Sequence, residues 1–150
     1  MRSLRVSDLL QKLLRESYSG ENVQVRGDSS VAVLAHEATL TQMLFNLISN
    51  GLKFKKPDTQ PRVEIAITRR EEGMLRIAVA DNGIGIMPQH LGKLFRVFER
   101  LHGVEEYPGT GIGLAIVKRG SERMGGRCGV ESKEGEGSTF WVELPEAKTK

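Results

Sequence analysis

The chain is 150 residues long, 39% hydrophobic and 27% charged, with a net charge of +3 at pH 7. That is the balance of a globular protein large enough to bury a core, and the length points to one domain over residues 1–150, with 6–145 as its body and 146–150 as a frayed tail. No apolar run reaches the length of a membrane span, no signal-peptide core opens the chain, and a single cysteine, Cys128, leaves neither an internal disulfide nor a Cys/His zinc site. The expectation is a cytoplasmic protein without membrane contact. Its basic residues are scattered rather than striped with aromatics, which sets nucleic acid aside and fits a polyphosphate ligand better.

Residues 6–16 read as a helix, with Leu9, Leu10, Leu13 and Leu14 on one face, Ser7 as the N-cap candidate and Gly20 closing the segment. Residues 22–26 and 31–34 alternate as short strands on either side of the turn Gly27-Asp28-Ser29-Ser30. A long helix follows over 36–54. Its apolar stripe is Leu40, Met43, Leu44 and Leu47, while Asn46, Asn50 and Lys53 recur at i, i+4 and i+7, roughly 80–100° around the helix. Asparagine is a poor helix former, so two of them at the edge of a buried face ask for a reason beyond solvation. His36-Glu37 reads as the pair that opens this helix.

Residues 55–61, with two prolines, form a loop, and 62–70 and 74–81 make a hairpin about Glu71-Glu72-Gly73. The second strand stops at Asp81-Asn82-Gly83-Ile84-Gly85-Ile86. This is either ordinary Asx-turn chemistry or a carboxylate parked at a strand end to accept a hydrogen bond from a ligand that glycine lets approach. Residues 88–100 carry short helical periodicity, and the polar stretch 101–110, longer than the usual connection, is a lid candidate.

Gly109-Thr110-Gly111-Ile112-Gly113 runs directly into a helix over 114–124. Glycines opening a helix present unpaired N–H groups and the positive dipole end to an anion, so the stretch is a phosphate cradle or else the hinge of a loop. Its spacing fits neither a Rossmann nor a Walker loop. Two strands, 127–132 and 138–144, close the chain, and Cys128 reads as a small core residue. The element order predicts an α+β fold: a two-layer sandwich in which a mixed, mostly antiparallel sheet of about five strands is covered on one face by about three helices. Asn50 offers a hard neutral oxygen suited to Mg²⁺ that is already largely coordinated by water and phosphate, and Lys53 a point charge for a terminal phosphate, although Lys53 alone also suits a solvated helix face.

Taken together these stretches resemble the boxes of sensor histidine kinases. Asn46-Leu47-Ile48-Ser49-Asn50-Gly51-Leu52-Lys53-Phe54 resembles the N box, Asp81 to Ile86 the G1 box, and Leu94-Phe95-Arg96-Val97-Phe98-Glu99-Arg100 the F box. Gly109-Thr110-Gly111-Ile112-Gly113-Leu114 is similar to the G2 box, and Gly137-Ser138-Thr139-Phe140 to the closing glycine–threonine segment. The lid wording, Arg100-Leu101-His102 to Glu106-Tyr107-Pro108-Gly109, looks like that of phytochrome-type kinases. The resemblance implies the GHKL, or Bergerat-type, ATP-binding fold shared with chaperone, gyrase and mismatch-repair ATPases, with ATP and Mg²⁺ held beneath the lid. It implies that Asp81 accepts from the adenine amino group, that Gly83 and Gly85, with Ile86, admit the base, and that Thr139 helps to hold that end. It gives Asn50 the metal with Asn46 assisting, Lys53 and Arg100 the phosphates, and Gly109, Thr110, Gly111, Ile112, Gly113 and Leu114 the triphosphate cradle. Asn46, Lys53 and Arg100 are the catalytic candidates.

Two departures qualify the resemblance. Where the superfamily's ATPases place a water-activating glutamate, this chain has Asn46, whose amide is no base at useful pH, so transfer to another nucleophile is expected over hydrolysis. The helical hairpin that bears the acceptor histidine in sensor kinases has no counterpart in the sequence, and His90 and His102 read as surface or lid residues, although His102 could touch phosphate. The implied partners are therefore a separate phosphoacceptor histidine domain and, through it, a response regulator. The alternatives are a degenerate, nucleotide-free module that binds a partner kinase or response regulator, and a GHKL ATPase or serine kinase.

Overall fold

A computed structural model describes residues 1–27, 30–85 and 111–147. The short helix expected over 88–100 and the lid over 101–110 lie outside the described residues, as do Ile86, Arg100, Gly109 and Thr110.

In chain order the elements are β1 (Arg2–Arg5), α1 (Val6–Ser17), β2 (Val23–Gly27), β3 (Ala32–Ala35), α2 (Glu37–Lys53), β4 (Val63–Arg69), β5 (Met74–Asp81), α3 (Gly111–Arg123), β6 (Arg127–Lys133) and β7 (Gly137–Pro145). Five strands form one sheet in the order β2-β4-β5-β7-β6, parallel between β2 and β4 and antiparallel elsewhere. The α+β expectation, with its mostly antiparallel five-stranded sheet and three helices, holds for the described residues. The sequence does not announce β1, because Arg2-Ser3-Leu4-Arg5 turns only Leu4 to the core. It pairs antiparallel with β3 in a separate two-stranded sheet, so β2 and β3, although only four residues apart in the sequence, belong to different sheets.

Period-two alternation decides which face of the large sheet is covered. Val63, Ile65 and Ile67 of β4, Leu75, Ile77 and Val79 of β5, and Phe140, Val142 and Leu144 of β7 all point inward and are buried. Against them pack Leu40, Met43, Leu44, Leu47 and Ile48 of α2 and Leu114 and Val117 of α3, with α2 and α3 lying side by side and α1 resting on α2 and β1. On the outer face Glu143, only 1% exposed, is held by Arg76 at 2.6 Å and Arg127 at 2.8 Å, and the Arg76 guanidinium lies 4.0 Å from the centre of the Trp141 ring. This cluster ties β5, β7 and β6 together across the sheet. Burial alone would push the Glu143 carboxyl up, but the hydrogen bonds and charges of Arg127 and Arg76 together hold it below the ordinary range.

Two local expectations are corrected. Ser7 is not the N-cap of α1: Arg5 occupies that position without a side-chain cap, and Ser7 is buried in the first turn, because β1 feeds the helix directly. The tail does not fray at 146 either. Glu146 bridges Val33 and pairs with Arg69 at 3.1 Å, and the Ala147 N–H donates to the Ala32 carbonyl at 2.8 Å, so residues 146 and 147 dock on the small sheet, while 148–150 lie outside the described residues.

Candidate functional site

Strand β5 ends at Asp81, opposite Val63 of β4, and its preceding residue Ala80 lies opposite Thr139 of β7. One carboxylate oxygen, Oδ1, accepts from the Gly83 N–H at 2.9 Å and the Ser138 N–H at 3.2 Å. Oδ2 is left as the oxygen not committed to these two donors. Burial raises the Asp81 pKa from 3.8 to about 6, working against the two N–H bonds, which favour the ionised form. A half-desolvated acceptor of this kind gains more from a ligand's N–H than one already bathed in water.

The two glycines of the turn have a packing reason as well as any ligand reason. A Cβ on Gly83 would collide with the Phe54 carbonyl oxygen, and one on Gly85, whose φ is +75°, with the Lys133 carbonyl. The turn is thus pressed between the loop that follows α2 and the β6–β7 turn. Thr139 borders the opening beside Asp81, a concavity of about 310 Å³ that Lys133, Gly137 and Ser138 also line.

Helix α2 brings its last turns to the same place. A Cβ on Gly51 would stand 3.0 Å from Val63 Cγ2 and 3.3 Å from Asp81 Cβ, so the absence of a side chain there lets the helix back onto the end of β5. Asn50, one residue earlier, is only 8% exposed, and its Nδ2 is buried without a hydrogen-bond partner among the described residues. Leaving a buried amide unsatisfied costs about 1–3 kcal/mol, a cost a ligand can recover. Asn46 is half-buried one turn before it, and Lys53, exposed at the helix end, has its ammonium 5.9 Å from the Phe54 ring centre. Among the described residues no cluster of three or more histidine, cysteine and carboxylate side chains could hold a metal.

Gly111, Ile112 and Gly113 fall within the first turn of α3, which begins earlier than the sequence indicated. Their N–H groups are among the four a helix cannot satisfy itself. Leu114 is fully buried in the core, so its backbone, not its side chain, is what it can offer a ligand. Sequence reading missed Ser138, whose backbone N–H holds Asp81, and Tyr18, whose hydroxyl bonds Ser49 at 2.6 Å and the Phe45 carbonyl at 3.0 Å to fix α1 against α2. Neither leaves a local signal, since backbone donors and cross-helix contacts carry no motif. A larger concavity, about 780 Å³, opens at the other end of β5 among Arg69, Arg70, Met74, Arg127 and Glu143. Its arginines are already engaged by Glu143 and Glu146, and it lies away from every site residue named above.

Residues 35–148 match the family described as histidine kinase-, DNA gyrase B-, and HSP90-like ATPase. The chain is 42% identical over 132 residues to phytochrome-like protein Cph1 of Synechocystis sp., an alignment covering 88% of this chain and 17% of that protein. It therefore spans about a sixth of the length of that relative. Among solved structures it superposes on full-length ShkA in complex with AMPPNP with a TM-score of 0.81 at 29% identity, covering 99% of this chain and 31% of the other. The mycobacterial sensor histidine kinase MprB gives 0.80 at 24% identity with 99% of both chains covered, a likeness of fold.

Proposed function

This chain belongs to the histidine kinase-, DNA gyrase B-, and HSP90-like ATPase family, as the catalytic ATP-binding domain of a sensor histidine kinase, and on that premise we propose that it binds Mg-ATP and presents the γ-phosphate to a histidine on a separate phosphoacceptor domain. The observation that carries this reading is the meeting of two sequence-distant groups. The end of α2, with the buried Asn50 amide whose Nδ2 donor has no partner among the described residues, backs through Gly51 onto the Asp81 carboxylate. ShkA was solved with AMPPNP bound, which supports a triphosphate as the ligand of this fold.

Asp81 Oδ2 would accept from the adenine amino group while Gly83 and Ser138 hold Oδ1 in place. Asn50 would turn its amide oxygen to Mg²⁺, with Asn46 beside it. The ion, when bound, neutralises charge on the phosphates and orients them. Lys53 at the helix end would meet a terminal phosphate, and the N–H groups of Gly111, Ile112 and Gly113 would cradle the chain of phosphates at the start of α3. Arg100, Gly109, Thr110 and Ile86 complete the proposed set by resemblance.

Asn46 cannot take a proton from water, so the γ-phosphate would be held for a stronger nucleophile. That nucleophile is not His36. It caps the start of α2, fourteen residues before Asn50 and so about 21 Å away along the helix axis. The proposed partner is accordingly another domain, and a response regulator through it.

Calorimetric titration with ADP and ATP, with and without Mg²⁺, tests the reading. Saturable binding is expected, with affinity for ATP strengthened by Mg²⁺ in the wild type and little changed by Mg²⁺ in Asn50→Ala. A folded wild-type chain that binds neither nucleotide would instead favour a module freed from nucleotide and kept for partner binding.

A further inference from the structure

The G1 turn is anchored on two sides, and the two anchors differ in kind. Toward the β6–β7 turn the contacts are backbone alone: the Gly135 N–H donates to the Ile84 carbonyl at 2.7 Å, and Gly85 packs on the Lys133 carbonyl. Toward the loop that joins α2 to β4, one bond runs from the Ile84 N–H to the Phe54 carbonyl at 3.0 Å, and the rest belong to Asn82, two through its side chain and one through its backbone. The Asn82 side chain accepts from the Arg62 N–H at 2.8 Å through Oδ1 and donates to the Gln60 carbonyl at 3.0 Å through Nδ2, while its own N–H reaches the Arg62 carbonyl at 3.3 Å.

The network fixes which way the amide faces, because an N–H must meet the oxygen and a carbonyl must meet the nitrogen. Asn82 therefore mimics a peptide group and adds one rung beyond the end of the β4–β5 ladder. Alanine supplies neither half of this rung, and aspartate supplies only the acceptor.

Resting on the nucleotide reading above, we propose that Asn82 is a positioning residue for base selection: it clamps the 54–62 loop so that turn 83–85 keeps Asp81 aimed as an acceptor at a 6-amino purine. Asp81 reads the base and Asn82 does not touch it. The clamp holds the Gly83 N–H against Asp81 Oδ1 from behind, and with it the orientation in which Oδ2 is presented. Without the side-chain clamp the described residues tie the turn on that side only through backbone, by the Ile84 N–H to Phe54 and the N–H of residue 82 to Arg62, and the carboxylate can rotate enough to tolerate a base lacking the amino donor.

The test compares ADP with inosine diphosphate, which has a 6-oxo group in place of the 6-amino group, by calorimetry on the wild type, Asn82→Ala and Asn82→Asp, with thermal melts alongside. The wild type should prefer ADP. Removing both halves of the rung should lower ADP affinity about tenfold, the worth of one or two modest hydrogen bonds, and narrow the ADP-to-inosine-diphosphate ratio several-fold. Asn82→Asp should narrow the ratio too, and it serves if the alanine variant fails to fold, since its retained oxygen still accepts from Arg62. A purely structural role would lower the melting temperature and leave the ratio alone, and that result overturns the proposal. So does a wild type that binds both diphosphates equally. A wild type that binds neither removes the nucleotide reading and this inference with it, an outcome distinct from an unchanged ratio in variants that bind.

Discussion

At the scale of single residues, Asp81 is where burial and the proposed function pull in opposite directions. Its pKa of about 6 means that the folded chain prefers it protonated. The stability that the proton brings is full below pH 3.8 and gone once the pH has risen through about 6, so at neutral pH the ionised carboxylate strains the fold while serving as an acceptor. Asp81→Asn removes that charge and keeps an oxygen for the Gly83 and Ser138 N–H groups. The melting temperature at pH 7 should stay level or rise, while adenosine affinity falls by about 10–100-fold because a donor now faces the adenine amino group. Calorimetry and melts on the same samples separate the two effects. A protonated Asp81 would carry its hydrogen on Oδ2, so wild-type adenosine affinity should drop about tenfold per unit below pH 6, a slope absent from Asp81→Asn. Adenosine is the right probe there because it has no titrating phosphate.

Among elements, the contact between α2 and the β5 end is the joint on which the candidate site depends. In Gly51→Ala the new methyl must share space with Val63 and Asp81, at 3.0 and 3.3 Å, while the helix gains about 1 kcal/mol of propensity. Stability should therefore change by only a few degrees in a melt, yet ADP affinity should fall several-fold as α2 moves off the strand. The outer face of the sheet is held differently. Glu143→Gln leaves Arg76 and Arg127 without their counter-charge and should cost about 2–3 kcal/mol at pH 7. Because the Glu143 pKa lies below its ordinary 4.5, that stability is present above 4.5 and lost as the pH falls, so the gap between variant and wild type in denaturant midpoint should close in acid. The alternating strands and the stripe of α2 were legible in the sequence, since burial on one face writes a period directly. Strand β1 and the docked Glu146 were not, because each is held by backbone pairing with β3, and pairing leaves no period in so short a segment.

For the whole molecule, the proposed division of labour predicts that ATP turnover by this chain stays at background, Asn46 having no proton-accepting capacity, while transfer appears when a histidine-bearing acceptor domain is supplied in trans. Steady hydrolysis by the isolated chain, followed as phosphate release, would overturn that division. What the sequence determined by itself is everything written in local chemistry: the amphipathic helices, the alternating strands, the acid before the glycine turn, the asparagines at helical spacing and the glycine run that opens α3. Those depend on neighbours a few residues away. What only the tertiary structure decided is which of them meet. The end of α2 meets Asp81 because Gly51 lets the helix close on β5, the turn after Asp81 is tied by the rung from Asn82 to Gln60 and Arg62, and the Ser138 N–H reaches the carboxylate from the far end of the chain. These contacts span tens of residues and run largely through backbone atoms, which are the same in every sequence and so cannot be read from one.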